Sequence, residues 1–170
     1  MKMGKKYLYI ETFGCQMNVH DSRQMAVLME AEGYELTCDA RQADLILMNT
    51  CSIREKAQQK ALSELGRLIK LKANKPQLLV GFGGCLAQHM GGKVYKRFAD
   101  VDFVFGTHNI HRLPLMVDQV VRDGKKITET GFSPQITSIN IFAPPVNGSV
   151  SSFVSIMQGC DNYCAYCVVP

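Results

Sequence analysis

Over the first 130 positions, short apolar runs alternate with longer stretches whose apolar residues fall three and four apart. The runs at residues 7–12 (YLYIET), 45–49 (LILMN), 78–82 and 101–105 have strand length and β-forming content. The unbroken run at 45–49 predicts a strand buried on both faces. Residues 34–37 read as a further short strand. Between the strands, Met25, Leu28 and Met29 fall at helical spacing and stop at Gly33, with Asp21 and Ser22 as the expected caps. Ala61, Leu62, Leu65, Leu68 and Ile69 mark a second helix, opened by a Ser52–Glu55 capping box and ended before Pro76. A third helix is expected from Cys85 to about Phe98. A fourth carries the stripe Leu113, Met116, Val117, Val120 and Val121, with Pro114 in its first turn and Gly124 as its stop. Strand then helix, repeated, predicts an α/β fold: an open, mainly parallel sheet with helices on both faces.

From residue 131 the pattern dissolves. Pro134, Pro144, Pro145 and Gly148 punctuate a Ser-, Thr- and Asn-rich segment that reads as a linker. A fresh strand at 153–157 then leads into a cysteine loop. The expected organisation is a first domain at 1–130, a linker at 131–151 and the start of a second domain at 152–170. A strand and a loop do not make a domain, so the chain is expected to be the front of a longer protein.

Composition changes this picture little. The chain has 170 residues, 46% hydrophobic and 20% charged, which is ordinary globular content. A net charge of +4 suits a polyanionic partner without requiring one. No apolar run approaches the roughly 18 residues of a membrane span. Seven cysteines without a secretory signal point to a reducing, cytoplasmic setting, where clustered thiols mean metal or redox chemistry more often than disulfides.

Those cysteines carry the candidate chemistry. Cys160, Cys164 and Cys167 have the spacing C-x-x-x-C-x-x-C, so one tight loop can aim three thiolates at one point. Thiolates hold iron–sulfur clusters, usually four at a time. Three fill three corners of a 4Fe–4S cube and leave one iron without a protein ligand. Zinc is the alternative, but structural zinc wants four protein ligands and no fourth is visible. Cys15, Cys51 and Cys85 lie far apart in sequence, yet each follows a predicted strand and precedes a predicted helix. At the carboxyl edge of a parallel sheet they could converge on a second cluster with an open iron. Helix N-termini favour thiolate there, and Gly14, Gly83 and Gly84 allow close approach. Buried structural thiols are the competing reading for these three, and it is the one kept for Cys38. The Gly81-Phe82-Gly83 start of a dinucleotide fingerprint lacks its last glycine, with Leu86 in that place. His20, His89, His108 and His111 share no metal spacing and read as surface or capping residues.

The terminal motif, with Tyr166 before its last cysteine, resembles that of the radical S-adenosylmethionine superfamily. Residues 14–18 (GCQMN), 49–57 (NTCSIREKA) and 83–85 (GGC) resemble the first domain of the methylthiotransferases, and their wording is closer to the tRNA branch than to the ribosomal-protein branch. The resemblance implies a truncated radical (β/α) barrel after the linker. It implies two 4Fe–4S clusters, one on Cys15, Cys51 and Cys85 and one on Cys160, Cys164 and Cys167. S-adenosylmethionine would bind the second cluster, with Tyr166 near its adenine. The implied activity adds a methylthio group to carbon 2 of an isopentenylated adenosine beside the tRNA anticodon. The implied partners are the tRNA anticodon loop and a reducing electron-donor protein, with the enzyme a monomer and the fragment alone inactive. Two alternatives remain: a ribosomal-protein substrate, or a non-catalytic iron–sulfur or zinc module.

Overall fold

The computed structural model describes residues 5–51, 55–131, 160 and 162–167. Its elements are β1 (Lys6–Phe13), α1 (Gln16–Ala31), β2 (Tyr34–Leu36), β3 (Leu45–Thr50), α2 (Glu55–Ile69), β4 (Leu79–Gly84), α3 (Cys85–Met90), α4 (Val94–Arg97), β5 (Phe103–Phe105), α5 (Leu113–Asp123) and β6 (Ile127–Glu129). The strands form one sheet in the order β2-β1-β3-β4-β5-β6, and every pairing is parallel. The α/β expectation is met.

Side-chain alternation explains why both faces are covered. All six residues of β3 are buried. Leu45 and Leu47 enter one core cluster, while Ile46 and Met48 enter the other. On the first face, Met25 and Met29 of α1 and Leu113, Met116, Val117 and Val120 of α5 join Leu8, Phe103 and Phe105. On the second, Ala61, Leu65 and Leu68 of α2, Leu86 of α3 and Val94 of α4 join Val80 and Phe82. A strand buried on both faces has no use for a polar alternation, which is why β3 reads as a plain apolar run.

The glycines of β4 have a packing cause. A Cβ on Gly81 would lie 2.4 Å from the Phe103 ring, and one on Gly83 would lie 2.4 Å from the Phe105 ring. The two rings of β5, stacked 5.8 Å apart, occupy the space those side chains would need. No nucleotide is required to explain them.

Three elements depart from expectation. α1 starts at Gln16, ahead of Asp21 and Ser22, because Cys15 is its N-cap and Asn18 reaches back to the Cys15 N–H. The helix after Cys85 is broken: α3 ends at Met90, Gly91 takes φ +50°, and a 3-10 turn (Gly91–Lys93) precedes α4. β6 was not foreseen. The Ser52–Glu55 capping box, the linker from residue 132 and the strand at 153–157 lie outside the described residues.

At the amino edge of the sheet, two carboxylates hold strand ends. Asp44 accepts the Tyr7 N–H at 2.7 Å and pairs with Lys75 at 2.6 Å. Asp102 accepts the Val80 N–H at 2.7 Å and pairs with Lys72 at 2.6 Å. Both lysines come from the 3-10 turn that closes α2 (Lys70–Ala73) or lie just beyond it. Among the described residues, no helix is long and apolar enough to cross a membrane.

Candidate functional site

The opposite edge of the sheet carries the upstream cysteines, and the strand register shows how they are brought together. Phe13, Thr50 and Gly84 are aligned across β1, β3 and β4, and each is the last residue of its strand. Neighbouring strands lie about 4.8 Å apart, so three adjacent loops leave the sheet side by side. Cys51 and Cys85 are the first residues after β3 and β4, and Cys15 is the second after β1. The sheet also changes its direction of growth here, since β2 lies on one side of β1 and β3 on the other. In doubly wound sheets that switch point, at the carboxyl ends of the strands, is where ligands bind.

Cys15 is exposed, Cys51 is buried and Cys85 is half-buried. Burial pushes the Cys85 thiol up, and nearby Cys51, Asp21 and Cys15 push it further in the same direction. Cys51, Asp21 and Cys15 therefore each lie within electrostatic reach of Cys85. Asp21, on α1, is itself raised to about 6 by burial. Gly14 packs so closely that a Cβ there would lie 2.9 Å from the Cys51 Cβ. Gly84 has φ +91°, and a Cβ there would meet the Thr50 carbonyl oxygen at 2.5 Å, so only glycine fits before Cys85. Chemically, the edge offers soft sulfur donors from three neighbouring loops. The loops meet, but among the described residues no group of three Cys, His, Asp or Glu could hold a metal ion. Cys38 is exposed at the far end of β2.

Beneath the cysteines lies a polar network that the sequence reading passed over. Asn18 and Asn49 are 1% and 0% exposed. Asn18 Oδ1 accepts the Cys15 N–H at 3.2 Å and lies 3.5 Å from Cys15 Sγ. Asn18 Nδ2 donates to Asn49 Oδ1 at 3.1 Å, and Asn49 Nδ2 donates to the Asn18 carbonyl at 2.8 Å and to Ser22 Oγ at 2.9 Å. Ser22 Oγ in turn lies 2.8 Å from Thr12 Oγ1. The available sign was a carboxamide at the end of an otherwise apolar strand, LILMN.

In the downstream loop, Cys164 and Cys167 are exposed and Cys160 is half-buried. The Cys167 N–H donates to the Cys164 carbonyl at 2.9 Å, closing a turn over Ala165 and Tyr166. Asn162 Nδ2 donates to Cys160 Sγ at 3.3 Å. Tyr163 has φ +47°, and Tyr166 is 92% exposed. Of the histidines, His20 Nε2 pairs with Gln24 Nε2 at 3.1 Å, and His89 is exposed. A shallow groove of about 820 Å³ runs along α2 from Phe13, lined by Lys56, Gln59, Lys60, Ser63, Glu64 and Arg67.

Residues 7–106 match the family described as "Uncharacterized protein family UPF0004". Over 170 residues the chain is 57% identical to the tRNA-2-methylthio-N(6)-dimethylallyladenosine synthase of Syntrophus aciditrophicus (strain SB), covering 100% of this chain and 37% of that protein. It is 49% identical over 168 residues to the protein of the same name from Geobacter metallireducens (strain ATCC 53774 / DSM 7210 / GS-15), covering 98% of this chain and 38% of that one. A third protein of that name, from Shewanella sediminis (strain HAW-EB3), is 50% identical over 169 residues, with 99% and 35% covered. The chain thus spans little more than a third of the length of these relatives.

Proposed function

The chain belongs to the family UPF0004, and from that premise we propose that it is the part of a tRNA methylthiotransferase that carries both cysteine triplets. The reaction is addition of a methylthio group to carbon 2 of an isopentenylated adenosine beside the anticodon. The observation that carries this reading is the alignment of Phe13, Thr50 and Gly84, which sets the Cys15, Cys51 and Cys85 loops side by side at the switch point. Three thiols on three adjacent loops, with glycine at two of the approaches, are the donor set that a cuboidal cluster would take.

When bound, the two 4Fe–4S clusters and S-adenosylmethionine supply the sulfur, the methyl group and the radical chemistry. The chain's own residues hold and orient them. Cys15, Cys51 and Cys85 bind the upstream cluster, and Cys160, Cys164 and Cys167 bind the downstream one. The Asn162 amide donates to Cys160 Sγ and so orients that sulfur within the loop. Tyr166, almost fully exposed, is free to lie against an adenine ring. Lys56, Lys60 and Arg67 outnumber Glu64 in the groove beside Phe13, which suits the phosphates of an RNA strand. A reducing partner protein delivers the electrons. The names of the relatives favour tRNA over a ribosomal protein as substrate.

Deletion of the gene tests the substrate. The expected outcome is loss of 2-methylthio nucleosides from tRNA with accumulation of the isopentenylated precursor. Unchanged 2-methylthio nucleosides would sink the assignment. Iron analysis tests the sites: the anaerobically reconstituted full-length protein is expected to bind about eight irons, and Cys15→Ala about four.

A further inference from the structure

Beyond the six cysteines, we infer that Asn18 and Asn49 are positioning residues that set the spacing of the three upstream cysteine loops. This rests on the reading that Cys15, Cys51 and Cys85 hold a cluster. The two carboxamides touch the first and third loops, and one of them stands on the strand that runs into the second. Asn18 holds the main-chain N–H of Cys15. Asn49 lies on β3, two residues before Cys51. A Cβ on Gly84, the residue before Cys85, would lie 2.5 Å from Asn49 Oδ1, so that oxygen sits against the third loop.

The polarity of the pair is fixed from both ends. The Asn18 main-chain carbonyl can only accept, so Asn49 must present Nδ2 to it. Asn49 Oδ1 then faces Asn18, which must answer with Nδ2. That leaves Asn18 Oδ1 toward Cys15, whose N–H can only donate. Donor and acceptor agree at every step, and both carboxamides are buried, where an unmatched group is costly. Aspartate is nearly the same size but offers only acceptors when ionised. At either position the ionised form sets oxygen against oxygen, and at Asn49 the protonated form supplies one donor where the amide supplied two.

Groups behind metal ligands typically change metal retention by about 10- to 100-fold when lost. The test uses full-length protein carrying Cys160→Ala, Cys164→Ala and Cys167→Ala, so that only the upstream cluster forms. It follows iron per chain, the EPR signal of the reduced cluster and the half-time of iron loss to a chelator. Asn18→Asp and Asn49→Asp are each expected to lose iron roughly tenfold faster with an altered EPR signal, and the double variant no faster than either alone. Asn109→Asp is the control. That residue is also buried, but its Nδ2 donates to the Glu129 and Gly131 carbonyls away from the cysteines. It is expected to lower the thermal midpoint and leave iron loss unchanged. Should the Asn variants not fold, Ser22→Ala decides, because it removes only one acceptor from Asn49. Iron loss roughly threefold faster is expected there, the worth of one hydrogen bond. Parent-like iron loss and EPR in the foldable variants would overturn the inference, as would equal acceleration in Asn109→Asp. A parent that binds no iron would overturn the cluster reading, and this inference with it.

Discussion

Asp21 shows what the cysteine edge demands of a single side chain. Burial raises its carboxyl from the ordinary 3.8 to about 6. A carboxyl raised on folding binds its proton more tightly in the native state than in the unfolded chain. Stability therefore falls as pH rises from about 4 to about 6 and stays lower above that. Asp21→Asn removes the ionisation, so in metal-free protein it is expected to raise stability by on the order of 2 kcal/mol at pH 7 and to change little at pH 4. Thermal melts of the two proteins at both pH values check this. At this scale the cysteines themselves were legible, because position after a strand is enough to place a residue at the sheet edge. Asn18 and Asn49 were not, because hydrogen-bond partners 31 residues apart leave no local pattern.

At the scale of elements, apolar spacing located the strands and helices but not all of their ends. The start of α1 was misplaced because aspartate and serine outrank cysteine as caps, whereas Asn18 does the capping by reaching back. The break after α3 comes from Gly91 and its positive φ, and a lone helical stripe does not reveal that. β6 is a three-residue edge strand, too short for alternation to show. The amino-edge ion pairs tie elements together in a way that can be measured. Asp102 holds both Lys72 and the Val80 N–H, so Asp102→Ala strips the partner from a strand end and from a lysine only 19% exposed. A loss of about 2 kcal/mol is expected, and about 1 kcal/mol for Lys72→Ala, which leaves the Val80 bond in place. Urea denaturation of both variants gives the comparison.

At the scale of the molecule, both core clusters are built from residues between Leu8 and Val120. Among the described residues the last strand of the sheet is β6, which ends at Glu129. Neither core, among the described residues, draws on a position after Gly131, so a fragment of residues 1–131 is expected to fold by itself with a single cooperative thermal transition. A broad, non-cooperative melt by circular dichroism would count against that boundary. The fold class was legible because the alternation of strand and helix is global. That the three cysteine loops leave neighbouring strands was legible only as an inference from that alternation, since it depends on strand order.

The sheet's two ends differ in their vulnerability. Its amino edge is tied by carboxylates and ammonium groups that oxidants do not attack, and its carboxyl edge presents thiols that they do. Oxidative damage would therefore strike the thiol-bearing end and spare the ties that keep the strands in register. A chain whose edge thiols had been oxidised would keep its strands in register, ready for those thiols to be reduced again rather than for the chain to be degraded and made anew.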